Sequence, residues 1–412
     1  MNLAWLSVSA LAAAIGVSCF TRLNAGLVSL AFAWIIGVYF GGMTVRQVAA
    51  GFPSELFLTM AGVTLLFTQA QVNGTLDRIA HRAVALCRGN RGVMPVMFFV
   101  LSAGLASAGP GNIATAALIA PMAMAVAARM GIPAFLMAIM VGNGANSGSL
   151  SPLAPTGVIV NGLMGKIGLE GRELSTWWTN LAAHAAVAFA GYLLLGGGKL
   201  LLRGGRAEET GVKAEPLETR HWITLAVIAA LMAGVLALKV NVGMAAFAGA
   251  VILVLLRAAD DAEAVRQMPW GTILMVCGVT VLISILEKTA GIDLLSGLMA
   301  RLATPASAVP VVAAVTGLIS AYSSTSGVVL PAFLPTVPGL VARMGGGDPL
   351  SIASAMNVGG HLVDVSPLST IGALCLAGVP AGAESRALFH KLLAWGLSMT
   401  ILGAGVCYLL FG

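Results

Sequence analysis

Residues 142–157 read GNGANSGSLSPLAPTG, and residues 365–372 read VSPLSTIG. The first string sits in an apolar segment, 132–165, with no Lys or Arg between 130 and 165. Pro removes a helical hydrogen bond, and Gly, Ser and Asn weaken the turns beside it. One continuous helix through this string is therefore not expected. Unwound backbone at membrane depth survives only where it is buried in protein or lines a wet cavity. Segment 132–165 reads as a broken helix with an unwound centre, and 349–380, which holds the second string, as its counterpart.

Setting LSPLAPTG at 150–157 over VSPLSTIG at 365–372 gives an offset near 215 residues, and other strings fall into line. ARMG recurs at 128–131 and 342–345, AGVTLLF at 61–67 meets CGVTVLI at 277–283, and NGTLD at 73–77 meets AGIDL at 290–294. Pro53, Pro95 and Pro121 meet Pro269, Pro310 and Pro335. Self-similarity at a fixed period marks repeated architecture. The chain thus divides into a first repeat, 1–202, a polar cytoplasmic linker, RGGRAEETGVKAEPLETR at 203–220, and a second repeat, 221–412.

Each half opens with three ordinary spans and a short charged segment, 76–91 or 290–303. A charge-free stretch follows, 92–128 or 302–342, interrupted at Gly109-Pro110-Gly111-Asn112 or at Ser323-Ser324-Thr325-Ser326. Its arms of about 16 residues fall short of the roughly 17–25 that a crossing needs. They read as re-entrant hairpins, 92–130 and 302–344, whose tips stop near the midplane. The broken helix and one last span complete each half.

Composition agrees. The chain is 58% hydrophobic and 9% charged, with mean hydropathy +0.95, where a soluble protein carries about 25% charged residues. The expected fold is an all-α polytopic membrane protein of about ten spans, built from two inverted-topology repeats. Residues 3–20 read as the first span, because the positive segment of a leader is missing and a second span follows at once. The net charge of +6 is spread over short loops, and no nucleic-acid partner is expected. Cys19, Cys87, Cys277, Cys375 and Cys407 are scattered through apolar segments, with neither disulfide nor metal-site spacing. Neither a P-loop nor HExxH occurs, so the chain reads as neither an ATPase nor an enzyme, and without a cofactor.

Five crossings per half invert the second half relative to the first. With the N-terminus outside, only Arg46, Lys166, Arg172, Lys239, Lys288, Arg301 and Arg343 lie outside, leaving 15 of the 22 Lys and Arg, among them Arg203, Arg206 and Lys213, on the cytoplasmic side. That bias selects the orientation.

Hydroxyl and amide side chains crowd the four breaks. Helices starting after the tips, at Ile113 and Gly327, would aim positive dipole ends at an anion. Unwound carbonyls and hydroxyls suit a small cation such as Na+. Since no Lys or Arg occurs in 92–128 or 302–342, an anion would be held by dipoles, hydroxyls and co-bound cations. The same small polar residues also mediate helix packing, and for each taken singly both uses stay open. Asp364, with His361 three residues before it, is the sole carboxylate in the broken segments and the candidate for a transferred proton. His184 reads as a packing histidine.

The run AGFPSELFLTMAGVTLLFTQAQVNGTLDRIAHRAV (50–84) resembles the N-terminal signature of MatC-type malonate/dicarboxylate carriers. The paired architecture is similar to that of the ion transporter superfamily, which includes the divalent anion–sodium symporters. Those symporters carry Ser-Asn-Thr at each hairpin tip, and here GNIATAALIAP (111–121) keeps Asn112, while TSGVVLPAFLP (325–335) puts Ser326 in the asparagine's place. Their substrate-touching Thr-Pro resembles Ser151-Pro152 and Ser366-Pro367. The resemblance implies substrate contacts from Asn112, Ser151, Pro152, Thr156, Ser326, Ser366, Pro367 and Thr370. It implies one cation site from Ser107, Asn112 and the Leu150 carbonyl, and another from Ser324, Ser326 and the Val365 carbonyl. Loss of the second asparagine leaves room for proton coupling.

The protein expected on these grounds is a homodimeric secondary transporter of the bacterial inner membrane, importing a small dicarboxylate with Na+ or H+ by alternating access. Two other modes of transport stay open. A cation/proton antiporter would use Asp364 alone, and a dicarboxylate exchanger would need no coupling ion.

Overall fold

Both halves place the same residue types at the starts of their helices, and those residues set where the helices begin. In the computed structural model, residues 2–21, 23–202, 215–238, 240–379 and 383–412 are described. Residues 203–214 of the linker, with Arg203, Arg206 and Lys213, lie outside them, as does Lys239. The described residues are helical and turn, with no strand. The first half contains α1 (Leu3–Phe20), α2 (Ala25–Trp34, continued by a π-helical turn Ile35–Phe40), α3 (Ser54–Val72), α4 (Val93–Ala108), α5 (Gly111–Met130), α6 (Ala134–Gly148), α7 (Pro155–Lys166) and α8 (Glu173–Leu194). The second contains α9 (Thr219–Leu238), α10 (Val242–Leu255), α11 (Trp270–Lys288), α12 (Ala308–Ser320), the composite helix α13 (Thr325–Met344), α14 (Pro349–Leu362), α15 (Thr370–Ala377) and α16 (Ala383–Phe411). Asn24 caps α2 through Gly26 N–H, and Asn241 caps α10 through Met244 N–H. Pro53 and Pro269 stand immediately before α3 and α11, where Pro cannot extend a helix backwards.

Among the described residues six helices are long and apolar enough to cross a membrane: α3, α5, α11, α13, the α14–α15 segment and α16. Shorter apolar helical stretches of 10–17 residues include Leu3–Val17, Ala25–Phe40, Val93–Ala108, Thr219–Val235, Val242–Leu255 and Ala308–Ser320. The chain is a multi-pass, all-helical membrane protein.

The halves interlock through close backbone approaches. Gly26 of α2 lies against α11, where a Cβ would stand 2.3 Å from the Leu274 carbonyl oxygen, and Gly278 of α11 would place one 2.2 Å from the Gly26 oxygen. On the other side Gly62 of α3 meets Gly243 of α10, at 2.4 Å from its oxygen. Thus α2 seats on α11 and α10 seats on α3, each from the opposite half. A larger residue at these crossings would push the helices apart.

The broken segments differ in detail from the sequence expectation. Residues 142–148 stay helical and the interruption is confined to 149–154. Asn143 Nδ2 donates to the Ile139 carbonyl (3.0 Å) and Ser147 Oγ to the Gly144 carbonyl (2.7 Å). These two donors are thus spent on carbonyls of their own helix, and the backbone unwinds only around Pro152 and Pro155. In the second half a 3-10 turn, Val363–Val365, and an extended Ser366 separate α14 from α15. The helices after the turns also begin two residues before Ile113 and Gly327, at Gly111 and Thr325. In the second case Ser324 Oγ caps the new end by accepting from Gly327 N–H (3.1 Å).

Candidate functional site

The turn between α4 and α5 is closed by Gly109, whose φ of +146° lies where side chains are rarely found. A Cβ there would also stand 1.8 Å from the Phe67 ring, so the turn is pressed against α3. Beside it Ser107 is held twice: its carbonyl accepts from Ser151 Oγ (2.7 Å), and its hydroxyl accepts from Trp177 Nε1 (3.1 Å). Asn112 follows in the first turn of α5. Its Oδ1 accepts from Ile113 N–H (3.0 Å), and its Nδ2 donates to Asn146 Oδ1 (2.9 Å) on α6. Asn146 in turn donates to the His361 carbonyl (3.2 Å), 215 residues away on α14, and accepts at its own carbonyl from Asn180 Nδ2 (2.8 Å).

The turn before α13 has a different chemistry. Thr325 Oγ1 donates to both carboxylate oxygens of Asp364, at 2.8 and 2.9 Å, and shares a further hydrogen bond with Ser320 Oγ (2.7 Å). Ser369 Oγ donates to the Asp364 and Ser366 carbonyls, closing the turn into α15. Gly372 makes that turn possible, since a Cβ there would meet the Ser366 oxygen at 2.0 Å. Gly157 does the same after Ser151, at 1.9 Å.

Both turns border one cavity of about 160 Å³, lined from the first half by Asn112 and Ile113. The second half contributes Tyr322, Ser323, Ser324, Thr325, Ser326, Asp364, Leu368, Ser369, Thr370 and Ile371. Among the described residues no Lys, Arg or His lines it, and Asp364 is its one charged side chain. A space walled by hydroxyls, one amide and one carboxylate can accept a small polar anion only through neutral donors, and a cation or proton directly.

Residues 1–149 match the family model described as dicarboxylate carrier protein MatC N-terminus. That segment is similar to the N-terminal region of MatC-type dicarboxylate carriers. No curated protein matches the chain. The MatC match points to dicarboxylate transport, and to a transporter over an enzyme. It covers α1 through α6, and so Ser107, Asn112 and Asn146, and it ends at Ser149, the first residue of the interruption at 149–154.

Of the residues singled out in the sequence, the cavity gathers Asn112, Ser324, Ser326, Asp364 and Thr370. Ser107, Leu150, Ser151, Thr156, Val365, Ser366, Pro367 and His361 lie outside its lining. Leu150 and Val365 are fully buried, and Ser366 is packed beneath Gly396. Pro152 instead borders a separate cavity of about 620 Å³, together with Thr59, Asn161, Lys166, Asn241 and Thr280. His361 turns its Nδ1 to the Asn357 carbonyl (2.8 Å), away from Asp364.

Two participants were not foreseen. Trp177 reaches Ser107, and Asn180 braces Asn146 and Ser147. Asn180 belongs to a stripe Thr176–Asn180–His184 at i, i+4 spacing, buried throughout on one face of α8, and that periodicity was the available signal. His184 binds Asn143 Oδ1 through Nδ1 (3.0 Å), in keeping with a packing role.

Proposed function

We propose that this protein imports a small dicarboxylate, malonate or a C4 acid, coupled to Na+ or H+ by alternating access. The observation that carries the reading is the cavity where both polar turns meet without a basic residue, on a chain whose first 149 residues match MatC carriers. In this reading the chain has ten spans and two inverted repeats. The α4–α5 and α12–α13 pairs are re-entrant hairpins, and the N-terminus is outside the bacterial inner membrane. The reciprocal glycine crossings, at offsets of 216 between Gly62 and Gly278 and 217 between Gly26 and Gly243, support the repeat. So does the Asn146–His361 contact between positions 215 apart.

Coupling follows from a magnitude. A charge crossing 100 mV gains or loses about 2.3 kcal/mol, so a dianion entering a negative interior is opposed by about 4.6 kcal/mol, roughly 2,000-fold. Cations moving with the substrate offset that opposition and screen it in the site. The hydroxyl, amide and carbonyl oxygens about Ser107, Asn112 and Leu150 supply a hard cation with ligands of the right kind. The second turn, with Asp364, supplies a proton acceptor.

The deciding experiment is uptake of a labelled dicarboxylate panel into proteoliposomes under imposed Na+ or pH gradients. Uptake should follow one of the gradients. Indifference to both, with acceleration by dicarboxylate preloaded inside, would show an exchanger instead. Orientation is tested separately: a cysteine at Glu218 should label only from the cytoplasm and one at Glu170 only from outside, and the reverse pattern would overturn the assignment.

A further inference from the structure

Asp364 faces the cavity almost without partners. An ionised carboxylate offers about four acceptor sites, and among the described residues Asp364 receives one hydroxyl, that of Thr325. No cationic side chain among the described residues lines the space. Neutral donors line the same space: the Ser323, Ser326 and Thr370 hydroxyls make no hydrogen bond among the described residues, and Asn112 Nδ2 spends one of its two N–H groups on Asn146. These can serve one carboxylate. A fully ionised dicarboxylate would bring a second carboxylate against Asp364, and like charges at close quarters in a confined space cannot all stay ionised.

Resting on the dicarboxylate reading above, we infer that the substrate is bound as the singly ionised acid. Its ionised carboxyl takes the hydroxyl and amide donors, and its protonated carboxyl donates to Asp364. The proton comes with the substrate from solution, and no bond is made or broken. The net charge carried in by the substrate is halved, so fewer coupling ions are needed to offset the potential.

Few other titratable groups face Asp364. Tyr322 lines the same cavity, and His361 sits one turn earlier with its Nδ1 on Asn357. Neither α6 nor α12 carries an acid or base, nor does the first turn of α13. On α15 there is Cys375, bonded to the Ala138 carbonyl. The described acids and bases of α16 lie in its first turns, Glu384 to Lys391, or at Cys407 and Tyr408 near its end.

The test uses half-amides of the dicarboxylates, malonamate and succinamate. Each is a permanent monoanion whose amide N–H can replace the acid proton, whereas the half-methyl esters carry the same charge and no donor. In proteoliposomes of the full-length protein, total-dicarboxylate KM should rise about tenfold per pH unit once the second carboxyl ionises. The half-amide should compete equally at pH 6 and pH 8, and the half-ester should compete at least about tenfold more weakly. In Asp364→Asn the preference for amide over ester should vanish. If Asp364→Asn fails to fold, the amide-to-ester comparison in the unaltered protein still decides. A KM that is constant from pH 6 to 8, or an ester as good as the amide, overturns the inference while leaving dicarboxylate transport intact. No uptake of or competition by any dicarboxylate at either pH overturns the functional reading itself.

Discussion

The two polar turns occupy matching places and carry opposite chemistry. At the first, Asn112 meets Asn146, amide on amide, and the surroundings are sealed by Phe67 and Trp177. At the second, Thr325 meets the carboxylate of Asp364, and the rim is open, with Tyr322 55% and Leu368 47% exposed. Across the offset of 215, Asn146 and Ser149 give way to His361 and Asp364. The two turns share their backbone demands, a glycine packed on the preceding carbonyl after each, and differ in their side chains. Where the side chains differ, the first turn presents a neutral amide and the second a carboxylate. The proposed coupling by a metal cation at one and a proton at the other rests on that difference.

The sharpest way to break this comparison is to attack what the turns share. Gly157→Leu and Gly372→Leu each put a side chain where the preceding carbonyl stands 1.9 or 2.0 Å from a Cβ. Both should abolish uptake and lower the yield of folded protein in size-exclusion chromatography, with a cost of about 3 kcal/mol or more. If one is tolerated, the turns are not equivalent even in backbone. The next effect tests the difference. Asn112→Ala strips Asn146 of its donor, and Ser326→Ala removes a hydroxyl from the cavity. Each should cut uptake by about ten- to a hundredfold with membrane insertion unchanged, and Asn112→Ala should act mainly through Na+ dependence. Near-normal uptake and cation dependence in both variants would reduce the turns to packing elements. The smallest effect is at the brace. Trp177→Phe removes one N–H from Ser107 and should weaken cation dependence about three- to tenfold, while the pH profile stays as it was. A moved pH profile would tie the two turns together more closely than their separate bonding implies.

Much of this frame was legible in the residues. Proline and glycine positions dictate where helices stop, so Pro53 against Pro269 and LSPLAPTG against VSPLSTIG align the halves from sequence alone. Extent was harder. Asn143 and Ser147 read as helix breakers, but their side chains bond back to Ile139 and Gly144 and the helix runs on. Sequence cannot tell whether a polar side chain turns inward on its own helix or out toward a site. For the same reason the resemblance pooled Ser151, Pro152 and Thr156 with Asn112 and Thr370, whereas the cavity admits only the last two. Asn180 and Trp177 act across 33 to 70 residues of chain, and no local pattern announces such a partner.

The crossings of Gly26 with Gly278 and of Gly62 with Gly243 bear on how the molecule is made. The seat for α2 is on α11, roughly 250 residues downstream, so the early helices enter the bilayer before their partners have left the ribosome. At about 5–20 residues per second that wait is on the order of 10 to 50 seconds. The N-terminal half must stay inserted and uncommitted for that time, and a truncated chain ending in the linker would hold two helices with nowhere to dock.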